Sequence, residues 1–131
     1  LNEQIDVGNL RPRRHKYGVS PASERMYNGK VYASKAERDY AAMLWAQLAD
    51  GILLEVIEQP RLWLGVPENV YVPDFFVLPA HEVRSHYIDV KGFETAAFRK
   101  VRKLWARYGR LNLLVVSKGK TEIINGGAFA T

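Results

Sequence analysis

The feature that most constrains the fold is a strand–helix–strand succession in the C-terminal half. His86–Lys91 is a short β-rich run that Gly92 breaks. Thr95 can cap a helix over Ala96–Tyr108, which Gly109 ends. Within it Ala97, Val101, Leu104, Trp105 and Tyr108 recur at helical spacing, and Arg99, Lys100, Arg102, Lys103 and Arg107 fill much of the rest. Leu111–Ser117 reads as a buried strand, and Thr121–Ile124 adds a short edge strand. Strand, helix and strand in this order favour a right-handed crossover between parallel strands. The expected class is therefore α/β, a mixed central sheet flanked by helices.

The upstream chain supplies the other elements. Asn28-Gly29 between Met26-Tyr27 and Val31-Tyr32 is a strong hairpin signal, because both central positions of a type I′ turn need positive φ. Ser34 with Glu37 three residues on forms a capping box, opening a helix that runs to about Asp50 and stops at Gly51. Its apolar stripe is Tyr40, Ala41, Leu44 and Leu48, and Glu37 falls in the middle of that stripe. Ile52–Glu58, Arg61–Val66 and Val70–Leu78 read as strands or extended pieces. The expected division is a basic, flexible arm over 1–24, one domain over 25–125 and a frayed tail over 126–131.

Charge is unevenly placed. Residues 91–120 carry nine Lys/Arg against one acid, whereas residues 31–90 carry four against nine. A basic surface around an acidic middle suits a polyanion that must reach a bound metal. The chain has no cysteine, which excludes disulfides, thiolate metal sites and a cysteine nucleophile. No apolar run approaches the roughly 20 residues needed to span a bilayer, so no membrane partner is expected.

Two aspartates sit where hydrophobic patterning would not choose them. Asp74 lies inside Val72-Pro73-Asp74-Phe75-Phe76, and Asp89 inside Tyr87-Ile88-Asp89-Val90. Lys91, two places after Asp89, points to the same face of the strand. Two carboxylates can hold Mg²⁺ or Mn²⁺, which keeps several waters; the Val90 carbonyl can join them. Such a metal activates water and neutralises a phosphoryl group, and an adjacent ammonium can orient the water or neutralise the scissile phosphate. Glu37, facing the core from its helix, is a further candidate ligand.

The ordered set Glu37, Val72-Pro73-Asp74, Asp89-Val90-Lys91 resembles the PD-(D/E)XK nuclease motif. The wider pattern YNGKVYASKAERDY…IEQP…YVPDF…YIDVKGF is similar to small phage proteins related to endonuclease I-type Holliday-junction resolvases, over about residues 16 to 125. The resemblance implies a restriction-endonuclease-like core and a Mg²⁺- or Mn²⁺-dependent DNA endonuclease with Glu37, Asp74, Asp89 and Lys91 as its catalytic set. It also implies branched phage DNA as substrate and the cytoplasm of a bacterial host as location. Gln59 matches a polar position such proteins carry near the site. The aspartate at position 89 departs from the glutamate common in endonuclease I-type enzymes. Symmetric cutting of two strands would call for a homodimer. The alternatives are a nickase or restriction-like enzyme on plain duplex, and a nuclease fold that only binds nucleic acid.

Candidate DNA contacts are Arg11, Arg13, Arg14 and Lys16 of the arm, Gln59, the ridge of Arg99, Lys103 and Arg107 four residues apart, and Lys100. Each has a plain alternative. The arm can be a mere terminus, the ridge a solvated face, Glu37 a capping residue, and Asp89 with Lys91 a surface ion pair of little worth.

Overall fold

The computed structural model describes residues 20–129. Contacts divide the chain into two compact units, with the boundary between Ala42 and Met43. The first holds a two-stranded hairpin, β1 (Met26–Tyr27) and β2 (Lys30–Val31), and the start of helix α1 (Lys35–Ala49). Asn28 and Gly29 have φ of 52° and 82°, the positive pair that a type I′ turn requires. Residues 20–24 belong to the expected flexible arm, yet Ala22–Arg25 forms a 3₁₀ turn. The cause is Arg25. Its guanidinium donates to the Ser20 carbonyl at 2.8 Å and to the Tyr32 carbonyl at 2.7 Å, tying this turn to the hairpin.

The second unit is built on a five-stranded mixed sheet in the order β3-β6-β7-β8-β9. Its strands are β3 (Leu53–Glu58), β6 (Phe75–Pro79), β7 (His86–Val90), β8 (Asn112–Ser117) and β9 (Lys120–Ile124). Only β7 and β8 are parallel, with Ile88 opposite Leu114, and helix α2 (Ala96–Tyr108) makes the crossover between them. The mixed α/β class expected from the sequence is the one observed. The Thr95 hydroxyl caps α2 by accepting from the Phe98 N–H at 3.1 Å.

The expected single strand over Val70–Leu78 is instead two. β5 (Val70–Tyr71) pairs with β4 (Leu62–Trp63) in a separate two-stranded sheet, and β6 starts only at Phe75. Pro73 has no N–H to give a ladder, so the chain leaves one sheet and joins the other across Val72–Asp74.

Strand alternation gives the large sheet two buried faces. Val56, Phe75, Val77 and Ile88 line one. The other carries Tyr87, Leu113 and Val115 under α2, packed with Leu64, Tyr71, Phe98 and Trp105. Tyr87 and Trp105 meet edge to face at 5.4 Å.

Gly109 ends α2 with an ordinary φ of −64°, so it is not a left-handed cap. A side chain there would lie 2.5 Å from the Trp105 indole, whose N–H donates to the Leu111 carbonyl. Gly126–Ala128, expected to fray, are held. The Gly127 N–H reaches the Trp105 carbonyl at 3.3 Å and the Ala128 N–H the Gly109 carbonyl at 3.0 Å. The glycines allow that approach: a Cβ on Gly127 would sit 1.8 Å from the Ala106 carbonyl oxygen. Backbone cannot yield as a side chain can, so Gly127→Ala is expected to cost about 1–3 kcal/mol. Urea denaturation of the variant beside Gly92→Ala, whose position is open and has no positive φ, checks this.

Candidate active site

The two aspartates meet where the β6–β7 ladder ends. That antiparallel ladder pairs Val77 with His86, Phe76 with Tyr87 and Phe75 with Ile88. One step further, Asp74 and Asp89 fall on the same face, the one that α2 covers. There the Asp74 side chain takes over from the ladder: its Oδ2 accepts the Val90 N–H at 2.7 Å. A hydrogen bond to a charged acceptor is worth roughly 1.5–3 kcal/mol. The Asp74 carbonyl in turn accepts the Gln59 N–H at 2.9 Å, so the residue is fixed from both neighbouring strands.

Asp89 is only 4% exposed. Burial of a carboxylate requires partners, and it has two. Its Oδ1 lies 3.0 Å from the Lys91 ammonium, and its Oδ2 accepts a short hydrogen bond from the Tyr71 hydroxyl. The Lys91 ammonium also sits 4.2 Å over the Phe98 ring, a cation–π contact that fixes it from the α2 side. The Lys91 N–H bonds the Val116 carbonyl at 2.8 Å, so its backbone is anchored to β8.

Tyr71 is the residue at the candidate site that sequence reasoning missed. Its ring packs edge to face on Trp105 at 6.0 Å and lies tilted to Phe98 at 6.3 Å, while its hydroxyl reaches Asp89. The signal was a tyrosine, a ring with a polar handle, at an apolar position three residues before Asp74. Burial, then the charge and hydrogen bond of Asp89, then the charge of Asp74, push its phenol far above the ordinary range. Tyr71 therefore stays a protonated donor at neutral pH, and its hydroxyl sets the orientation of the Asp89 carboxylate.

The other expected residues are placed as follows. Val90 is half-buried and gives its N–H to Asp74. Gln59 follows β3 with a positive φ of 52° and is exposed beside the Asp74 backbone. Arg99, Lys100, Lys103 and Arg107 are exposed along α2. Glu37 belongs to the first unit. It is 4% exposed, and its N–H bonds the Ser34 hydroxyl at 3.0 Å, half of the expected capping box. Arg11, Arg13, Arg14 and Lys16 lie outside the described residues.

As a donor set, Asp74 and Asp89 offer hard carboxylate oxygens at adjacent strand ends, the chemistry that Mg²⁺ or Mn²⁺ accepts when waters complete the shell. Among the described residues no group of three or more His, Asp or Glu side chains is arranged to hold a metal. Any ion here would rely on those two carboxylates and water, and would compete with Lys91 and Tyr71 for Asp89. No helix among the described residues is long and apolar enough to cross a membrane. Comparison with known proteins found no matching family model, no matching curated protein and no matching solved structure.

Removing the Tyr71 hydroxyl leaves a buried Asp89 oxygen without its donor. Tyr71→Phe is expected to lose about 1–3 kcal/mol at neutral pH, read by urea denaturation. The pH dependence has a definite sign. A phenol whose folded pKa lies above its ordinary value of about 10 stabilises the fold below that pH. As pH rises past 10 the unfolded chain ionises first and stability falls. Tyr40 and Tyr87 are raised by burial too. Tyr71→Phe should therefore make the alkaline loss of stability shallower without abolishing it, as followed by unfolding between pH 8 and 11.

Proposed function

We propose that this protein is a metal-dependent nuclease that hydrolyses DNA phosphodiester bonds, with Asp74, Asp89 and Lys91 at its centre. The observation that carries the reading is the meeting of two aspartates at the ends of β6 and β7 with a lysine ammonium 3.0 Å from one of them. A buried carboxylate paired with a half-buried ammonium at the end of a sheet costs desolvation that a purely structural core would avoid with apolar residues.

In this reading Asp74 and Asp89 are the residues that would hold Mg²⁺ or Mn²⁺, and Glu37 is carried as a further carboxylate on the sequence resemblance alone. The ion would supply Lewis-acid polarisation of the phosphoryl oxygen and a water of lowered pKa. The chain's own contributions are distinct. Val90 fixes one oxygen of Asp74, and Tyr71 fixes one oxygen of Asp89, so both carboxylates are oriented before any ligand arrives. Lys91 leaves Asp89 when a phosphate competes for it, and its ammonium then neutralises charge on the scissile group. Gln59 and the exposed cations of α2 meet backbone phosphates without reading sequence. Branched DNA of phage origin is the expected substrate, and a homodimer the expected assembly for paired cuts.

A second reading is a nucleic-acid-binding protein without catalysis. It is favoured by the two oxygens of Asp89 being engaged within the protein and by the lack of a three-ligand group among the described residues.

Cleavage separates the two. The parent protein is expected to cut duplex or four-way-junction DNA with Mg²⁺ or Mn²⁺ and to stop on EDTA. Asp74→Ala and Lys91→Ala should each lower the single-turnover rate by about 10²-fold or more. Absence of cutting on duplex, junction and single-stranded DNA would favour the binding reading; variants as active as the parent would move the site elsewhere.

A further inference from the structure

The crossover puts more than the aspartates at one end of the sheet. β7 and β8 run parallel, with Val90 opposite Val116, so their C-terminal ends share an edge. In open α/β sheets ligands bind outside the carboxyl ends of the strands. β8 turns back immediately through Lys118 and Gly119, whose φ values of 49° and 78° are the positive pair of a tight hairpin turn, into β9 with Ser117 opposite Lys120. Alternation along β8 puts Ser117 on the face of Val115, and cross-strand pairing adds Lys120 and Glu122 to it. Val115 is opposite Asp89, so this is also the face of Asp89 and Lys91.

A cavity of about 450 Å³ opens there, lined by Lys91, Arg102, Val115, Ser117, Lys118, Lys120 and Thr121 with Glu94 and Glu122. The two carboxylates are not available to a ligand cation. Arg102 donates through Nε to both oxygens of Glu94 at 2.9 and 2.8 Å, and through its two terminal nitrogens to the two oxygens of Glu122 at 2.7 and 2.8 Å. These bonds hold both acids below the usual carboxylate range and so keep them charged and engaged. Two exposed ammonium groups, Lys118 and Lys120, remain beside the Ser117 hydroxyl, which alternation puts on the same face as Lys120. A tetrahedral anion is the ligand such a set takes.

We propose that the β8–β9 turn forms a phosphate subsite, in which Lys118 and Lys120 grip a backbone phosphate of the DNA strand whose scissile bond lies at Asp74, Asp89 and Lys91. This deepens the nuclease reading and rests on it for the position of the scissile bond. The Arg102 clamp acts as a positioning element: it fixes β9 to α2 and sets the cavity width.

The test is fluorescence anisotropy of a labelled 20-bp duplex and of a four-way junction, both in EDTA so that no cutting occurs. Lys118→Glu combined with Lys120→Glu is expected to weaken binding at least tenfold at low salt. It should also lower the slope of log Kd against log salt by about 1, the one phosphate that the two lysines share. Lys118→Arg with Lys120→Arg should bind like the parent. Arg84→Glu with Arg110→Glu makes the same change in net charge at the opposite end of β7 and β8 and should do much less. Equal losses from the two reversal pairs, or no loss from the lysine pair, would overturn the subsite. A parent that binds DNA through these lysines but cuts nothing with Mg²⁺ or Mn²⁺ would sink the nuclease reading and leave the subsite standing. A parent that binds neither DNA would sink both.

Discussion

The second unit depends on a hydrogen bond made where a β-ladder stops. β6 and β7 pair only from Phe75 and Ile88 outward, because Pro73 cannot extend the ladder. The Asp74 carboxylate replaces the missing backbone partner by taking the Val90 N–H. This keeps the ends of β6 and β7 together although the chain entering β6 comes from another sheet. It also explains why an acidic residue sits in a run otherwise chosen for burial. Whatever chemistry Asp74 takes part in, its carboxylate already has a structural task, and any ligand must bind through the geometry that task allows.

Asp89 is under the opposite constraint. Its oxygens are shared between groups from two directions, Tyr71 from the small sheet and Lys91 from its own strand. The aromatic layer beneath α2 holds both partners still, since Phe98 touches the Tyr71 ring and lies under the Lys91 ammonium. A single phenylalanine thus contacts both the neutral donor and the cation that share one buried carboxylate. The whole group is low in freedom, which is what a preorganised centre requires.

Much of this was legible in the sequence. The crossover helix, its Thr95 cap, the parallel pair it joins and the Asn28-Gly29 hairpin follow from periodicity and turn chemistry with local causes. Asp74 and Asp89 stood out because burial and charge conflict. What could not be read has non-local causes. Pro73 marks a break at Val72–Asp74 locally, but that the piece before it pairs with β4 rather than β3 is a non-local outcome. Tyr71 looked like one more apolar residue because its hydroxyl partner lies eighteen positions away. Gly126 and Gly127 looked like a loose end because the carbonyls that crowd them belong to α2 and the residues following it. The Lys118-Gly119 turn lacks the asparagine or aspartate that marks such a turn in a bare sequence.

The parallel pairing of β7 with β8 has a consequence for the order of events during synthesis. Asp89 lies opposite Val115, twenty-six residues later, and Lys91 is anchored on Val116. A ribosome that has just added Lys91 has made both aspartates and the lysine but not the strand that holds the lysine's backbone. Closing so long a loop is slower than closing a hairpin. The charged centre therefore assembles only after the crossover helix and β8 have emerged, so a nascent chain arrested before that point carries the charged residues without their arrangement.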